Sequence, residues 1–184
     1  AMSVNRDMLM LGGGNPAHIP AVQKIFRESM LKVMETGRSF EECVGNYDTP
    51  QGNPLYLEEL AALLKRLYGW NITAKNIALT NGSQSAFFLI FNMFSGRFSD
   101  GSFKKILLPL TPEYIGYADA GLSSEDIFTS IRPEITFLGD NMFKYSIDFD
   151  RLVVDEHIGA ICVSRPTNPT GNVVSDKEIE KLMV

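Results

Sequence analysis

A chain of 184 residues, 45% hydrophobic and 21% charged, has the length and balance of one globular domain with a core of its own. Twenty-two acidic against 17 basic residues leave a net charge of -5, which argues against a nucleic-acid partner, and no apolar run approaches the ~18 residues of a membrane span. Two cysteines, Cys43 and Cys162, exclude a disulfide framework and favour a cytoplasmic setting, while two distant histidines, His18 and His157, give no zinc spacing and no metal site.

Along the chain, Val22, Ile25, Phe26, Met30, Val33 and Met34 recur at helical spacing, and Gly37 follows as a stop. A second helix opens on Asn53 as N-cap with Pro54 at its first position. Leu57, Leu60, Ala61, Leu64 and Leu67 form its apolar stripe, and Gly69 ends it. Ile77 to Thr80 reads as a short strand, after which Gly82-Ser83 opens a third helix. Phe87, Phe88, Ile90, Phe91 and Phe94 make that helix apolar around much of its circumference, which predicts deep burial. Ile106 to Leu110 is a strand, Pro112 to Gly121 a short helix, Ile135 to Leu138 a strand, and Asp148 to Val154 a helical turn. The apolar run Ala160 to Ser164 is a further strand. Ser175 and Glu178 match a capping box, and Ile179, Leu182 and Met183 continue at helical spacing. Strands alternating with helices predict parallel βαβ units in a doubly wound α/β sheet. The last helix is either a natural two-turn ending or the start of a longer element, and the pattern favours a fragment.

Five stretches carry candidate chemistry. Thr167-Asn168-Pro169-Thr170-Gly171 follows a strand, and Pro166 and Pro169 restrict Asn168 so that its amide is aimed. The loop at a strand's carboxyl end is where open α/β sheets hold ligands, although the same residues also suit a rigid turn. At Asn81-Gly82-Ser83-Gln84, a strand, a polar turn and a helix start offer free N–H groups to a phosphate, or simply a capped helix. Pro112-Glu113-Tyr114-Ile115-Gly116-Tyr117 places tyrosines at the same sheet edge, where one stacks on a flat heteroaromatic ring or both pack in the core. Gly12, Gly14 and Ala17 fit G-x-G-x-x-A, but Pro16 stands where the helix should open and no acidic partner closes a second strand. A backbone approach to substrate suits that loop better than a dinucleotide. Asn46-Tyr47-Asp48-Thr49-Pro50 is an exposed loop with one large polar handle, Tyr47.

In this order and spacing the five stretches resemble the fold-type I pyridoxal-phosphate aminotransferases. The long Ala78-Leu-Thr-Asn-Gly-Ser-Gln-Ser-Ala and Pro112-Glu-Tyr-Ile-Gly-Tyr blocks point to the valine–pyruvate branch. The resemblance implies a three-layer αβα sheet, cut part-way through the large domain, with an N-terminal arm and helix over 1–52 and the first part of the cofactor-binding domain over 53–184. It implies pyridoxal 5'-phosphate as cofactor. Gly82, Ser83 and Gln84 would hold the phosphate, Tyr114 would stack on the ring and Asn168 would donate to the ring's phenolic oxygen. Gly14 would line the substrate-carboxylate pocket, and Tyr47 would reach the phosphate in the other subunit of a homodimer. The implied reaction moves an amino group between valine or alanine and a 2-oxo acid such as pyruvate or 2-oxoisovalerate. In that family the Schiff-base lysine, the aspartate on the pyridine nitrogen and the substrate-clamping arginine all come after Asn-Pro-Thr-Gly. Lys104, Lys105 and Lys144 match no position of that lysine, so this polypeptide alone is expected to be inactive. An amino-acid lyase of the same fold type and a non-catalytic phosphate-binding module are the alternatives.

Overall fold

The computed structural model describes residues 16–183, and the chain divides into two compact units between Ile77 and Ala78. The boundary expected between residues 52 and 53 lies inside the first of them. The first unit is helical. Helix α1 spans Pro20–Glu35 and buries none of its residues, and a short α2, Ser39–Gly45, follows Gly37 at φ +52°. Helix α3, Pro54–Tyr68, begins and ends as its sequence dictates. Asn53 Oδ1 accepts the Tyr56 N–H at 3.1 Å, Pro54 occupies the first turn, and Gly69 closes the helix at φ +69°. Gln51 then anchors the following segment by donating through Nε2 to the carbonyls of Ala74 and Ile77.

The second unit is built on a parallel core. Strand β2, Phe103–Leu108, lies between β3, Phe128–Ser130, and β6, Ile158–Ile161, and runs parallel to both. A two-residue β1, Gly96–Arg97, pairs antiparallel with the start of β2. Helix α4, Ser83–Phe94, packs on this sheet. Phe91 and Ile106 are 2% and 0% exposed and meet Tyr117, Ala120 and Ile127, each full burial contributing about 2 kcal/mol of transfer free energy. Strands β4, Glu134–Gly139, and β5, Met142–Ser146, form a separate antiparallel hairpin. A second cluster of Leu110, Ile147 and Val174 receives Ile179 and Leu182 of helix α5, Asp176–Leu182. The capping box of α5 is formed as expected, with Ser175 Oγ accepting from the Glu178 N–H and the Glu178 carboxylate accepting from the Ser175 N–H at 2.8 Å.

Four expectations change. Ile77 to Thr80 is extended but pairs with no strand among the described residues, so propensity there lacks a ladder to complete it. Pro112 to Gly121 contains only a 3-10 turn, Ile115–Tyr117, because the run from Thr111 to Tyr114 is taken up in side-chain bonding. Asp148 to Val154 forms a hydrogen-bonded turn closed by Arg151 on Asp148 rather than a helix. Helix α4 buries only Phe91 fully, while Leu89 and Met93 are 52% and 66% exposed, because a single face of it meets the sheet.

Candidate functional site

Parallel pairing places the ends of β2 and β6 at one edge of the sheet, and the chain leaving each strand carries a candidate residue. From β2 the chain runs through buried Leu110 to Glu113 and Tyr114, and from β6 to Ser164 and Asn168. Helix α4 runs the opposite way. Its last turn abuts the start of β6, where a Cβ on Gly159 would stand 1.7 Å from the Phe94 carbonyl oxygen. At its other end the Gln84 side-chain amide donates to the Gly116 carbonyl, beyond the end of β2. The N-terminus of α4 therefore opens at the carboxyl edge of the strands, the position at which open α/β sheets bind ligands.

That N-terminus is free to take an anion. Gly82 sits at φ +89°, with no atom within 4 Å of where a Cβ would be, so backbone can be approached closely. Its carbonyl receives the Thr80 hydroxyl at 2.8 Å and the Ala86 N–H at 3.4 Å, the first bond of the helix. The N–H groups of Ser83, Gln84 and Ser85 precede that bond and lack helical acceptors. Ser83 is exposed and caps nothing: the N-cap position belongs to Gly82. Gln84 presents only its backbone, because its side chain is held by Gly116.

The two tyrosines have separate roles. Tyr117 is 7% exposed and packs against Phe87 and Phe91 with ring centroids 5.0 and 5.1 Å away. Burial raises the pKa of its phenol above the ordinary value, against a partial lowering from the Ser164 hydroxyl 3.4 Å away. Tyr114 is 37% exposed and stands edge-on to Tyr117 at 5.5 Å. Its ring lies over Gly116, where a Cβ would come within 2.3 Å of Cε1. Of the pair, Tyr114 is the one with a face available to a flat ring.

A carboxylate that sequence reasoning passed over joins the two loops. Glu113 Oε1 accepts the Ser164 N–H at 3.1 Å, and Oε2 accepts the Ser164 hydroxyl at 2.8 Å and the Tyr114 N–H at 3.1 Å. Ser164 in turn accepts, through its carbonyl, the hydroxyl of Thr167, which is 3% exposed. The Thr167 N–H and carbonyl bond Asn172 and Gly171 at 2.8 and 2.7 Å, closing a tight loop with the exposed Asn168 on it. Glu113 also acts on Cys162 beside it. Burial, then the negative charge of Glu113, push that thiol up to about 11, with the Tyr117 hydroxyl opposing them. The only sequence signal for Glu113 was an acidic residue in a post-strand loop, and its partner is 51 positions away.

The structure thus brings Gly82, Ser83, Gln84, Tyr114 and Asn168 to one edge. Tyr47 belongs to the first unit and is fully exposed, and Gly14 lies outside the described residues. Of the five lysines of the second unit, Lys104 and Lys105 sit at the amino end of β2, Lys144 donates to the Val173 carbonyl at 2.7 Å, Lys177 lies in the first turn of α5 and Lys181 lies over the Phe149 ring. A concavity of about 560 Å³ lies between the β4–β5 hairpin and residues 170–173, which continue the loop that carries Asn168. No helix among the described residues is long and apolar enough to cross a membrane, and no group of three or more His, Cys, Asp or Glu among them could hold a metal ion.

Known proteins resemble the chain over nearly its whole length. The chain is 55% identical over 174 residues, 95% of its length, to valine–pyruvate aminotransferase of Escherichia coli K12. The crystal structure of valine-pyruvate aminotransferase from Salmonella typhimurium LT2 superposes with a TM-score of 0.81 at 52% identity, covering 99% of this chain and 44% of that one. The fold is that of the fold-type I aminotransferases. An asparagine–oxo-acid transaminase of Streptococcus mutans, 24% identical over 96% of the chain, extends the similarity to other transaminases. No protein-family model matches the chain. The chain spans about two-fifths of the length of the curated relatives it matches, 41% for both the Escherichia coli and the Streptococcus proteins.

Proposed function

We propose that this chain supplies part of the cofactor site of a pyridoxal-phosphate aminotransferase. The reaction moves an amino group between valine or alanine and a 2-oxo acid such as pyruvate or 2-oxoisovalerate. One observation carries the reading: a free helix N-terminus, an exposed aromatic ring and an exposed asparagine lie at a single sheet edge, tied together by Gln84 and Glu113. These are the three contacts that an anionic, flat, oxygen-bearing ring needs. The 55% identity to the Escherichia coli enzyme supports the choice of substrates.

In this reading the N–H groups of Ser83, Gln84 and Ser85, with the Ser83 hydroxyl, hold the phosphate against the positive end of the α4 dipole. Tyr114 covers one face of the ring, and Asn168 donates its amide to the ring oxygen. Gly14 lines the substrate-carboxylate pocket. Tyr47 reaches the phosphate held by the partner subunit of a homodimer in the cytoplasm. Bound pyridoxal phosphate supplies the electron sink that amino transfer requires. In this reading Lys104, Lys105 and Lys144 match no position of the family's cofactor-linking lysine, so the polypeptide of 184 residues binds without turnover.

Titration of the purified chain with pyridoxal phosphate, followed by absorbance and by Trp70 and tyrosine fluorescence, tests this. Saturable binding that Ser83→Asp weakens by ~100-fold, through a carboxylate facing the phosphate, supports the site. Binding untouched by Ser83→Asp and Tyr114→Leu removes it. Steady amino transfer from valine to pyruvate by the purified chain would overturn the statement that it binds without turnover.

A further inference from the structure

We infer that Glu113 is a positioning residue: its carboxylate sets the Tyr114 ring and the Asn168 loop in one fixed relation, so that ring face and amide meet the same flat ligand. The inference rests on the proposed function for the identity of that ligand, while the coupling of the loops stands on geometry alone. Tyr114 and Asn168 sit on different post-strand loops and share no direct hydrogen bond among the described residues. Their shortest hydrogen-bonded connection runs through Glu113; the Tyr117 hydroxyl, 3.4 Å from Ser164 Oγ, is a longer second link. Glu113 accepts the Tyr114 N–H at 3.1 Å on one loop, and both the N–H and the hydroxyl of Ser164 at 3.1 and 2.8 Å on the other. Ser164 passes the constraint to Thr167, the residue before Asn168, at 3.1 Å.

A carboxylate is the group for this task. It is acceptor-only, and its two oxygens present about four lone-pair sites, enough for three donors at once. Bonds to an ionised acceptor are about twice as strong as neutral ones, so the link resists the opening that a surface edge would otherwise undergo. Ser164 is the matching partner because it offers two donors from a single residue, giving a two-point grip that fixes orientation as well as distance. Neither Glu113 nor Ser164 is offered as a contact of the ligand. The phosphate end, at Gly82 and Ser83, is held by different bonds from Thr80 and within α4. Loss of Glu113 should therefore loosen ring contacts and spare phosphate contacts.

The test uses the whole 184-residue chain and two probes, pyridoxal phosphate and inorganic phosphate. In Glu113→Ala, amide exchange at Tyr114 and Ser164 accelerates together by ~10-fold or more, as expected for losing a charge-assisted bond, while Ile106 in the core is unchanged. The same variant binds pyridoxal phosphate ~10-fold more weakly and inorganic phosphate within about 2-fold of the parent. Glu113→Gln, which keeps the shape and one acceptor oxygen but sets an NH2 against a backbone N–H, recovers only part of both effects, and a cycle of Glu113→Ala with Tyr114→Leu is non-additive in pyridoxal-phosphate affinity. Unchanged exchange at Ser164 in Glu113→Ala overturns the inference, and so does an equal loss for the two probes, which would mark a general structural role. If the parent chain binds inorganic phosphate but not pyridoxal phosphate, the proposed function fails and the ligand assignment with it. The exchange experiment then still decides whether the carboxylate couples the loops.

Discussion

The two ends of the parallel sheet are built from different materials. At the amino end, Gly159 of β6 faces the Phe94 carbonyl so closely that no side chain fits, and backbone is packed on backbone. At the carboxyl end, the chain spreads into loops whose exposed groups, Ser83, Tyr114 and Asn168, are held by side-chain bonds rather than by packing. The first arrangement spends its interactions on stability, because a close-packed contact tolerates no change of volume. The second leaves polar and aromatic groups open to a solute, and fixes them by hydrogen bonds that individually contribute little to folding. Rigidity at one end and accessibility at the other are what a binding site on a scaffold requires.

The contrast can be broken most directly at Gly159. Gly159→Ala should cost ~3 kcal/mol or more, read from the midpoint of urea unfolding, because the obstructing atom is main chain and cannot swing away. A midpoint within experimental scatter of the parent would show that the amino end is not close-packed. The capping box of α5 gives an intermediate effect: Ser175→Ala should lose ~1 kcal/mol by the same measurement. Its partner Glu178 adds a pH dependence. Burial pushes that carboxyl up, but hydrogen bonds from Ser175 and Ile147 and the nearby Lys144 outweigh it, and the folded-state value falls below the ordinary 4.5. A lowered value in the folded state stabilises above pH 4.5, and that contribution is lost as pH falls through the folded value, so Glu178→Gln should lower the neutral plateau of stability and flatten its acid limb.

The carboxyl end should give the smallest stability changes. Tyr114→Leu is expected to alter the unfolding midpoint by less than ~0.5 kcal/mol while abolishing any stacking contribution to ligand binding. A large loss of stability there would erase the distinction between the two ends. Last, Cys162 should react with iodoacetamide far more slowly than exposed Cys43 at pH 8, because its thiol is pushed up to about 11. Glu113→Gln removes a neighbouring negative charge and should speed the Cys162 reaction modestly.

Local signals in the sequence were reliable where they needed no distant partner. Asn53, Pro54 and Gly69 bound α3 as read, and Ser175 with Glu178 start α5, since each cap is satisfied within one turn. The β4–β5 hairpin was half legible. Ile135 to Leu138 was recognised, but the returning strand was not, although Asp140 and Asn141 turn the chain at φ +47° and +60°, conformations that these two residues tolerate best after glycine. The expected burial of α4 failed because periodicity reports how apolar a helix is and not how many neighbours it meets. At the candidate site, the placement of Gly82, Ser83, Tyr114 and Asn168 at one sheet edge was legible from their positions after strands or at a helix start. Glu113 was not, since its function depends on a serine 51 residues away that only the parallel pairing of β2 and β6 brings near.

The Gln84 amide spans from the first turn of α4 to the carbonyl of Gly116, directly beneath the Tyr114 ring. One side chain thereby ties the helix end that carries the free amides to the loop that carries the aromatic platform, so the two move as a pair. Gln84→Glu would cut that tie, because a carboxylate cannot donate to a carbonyl.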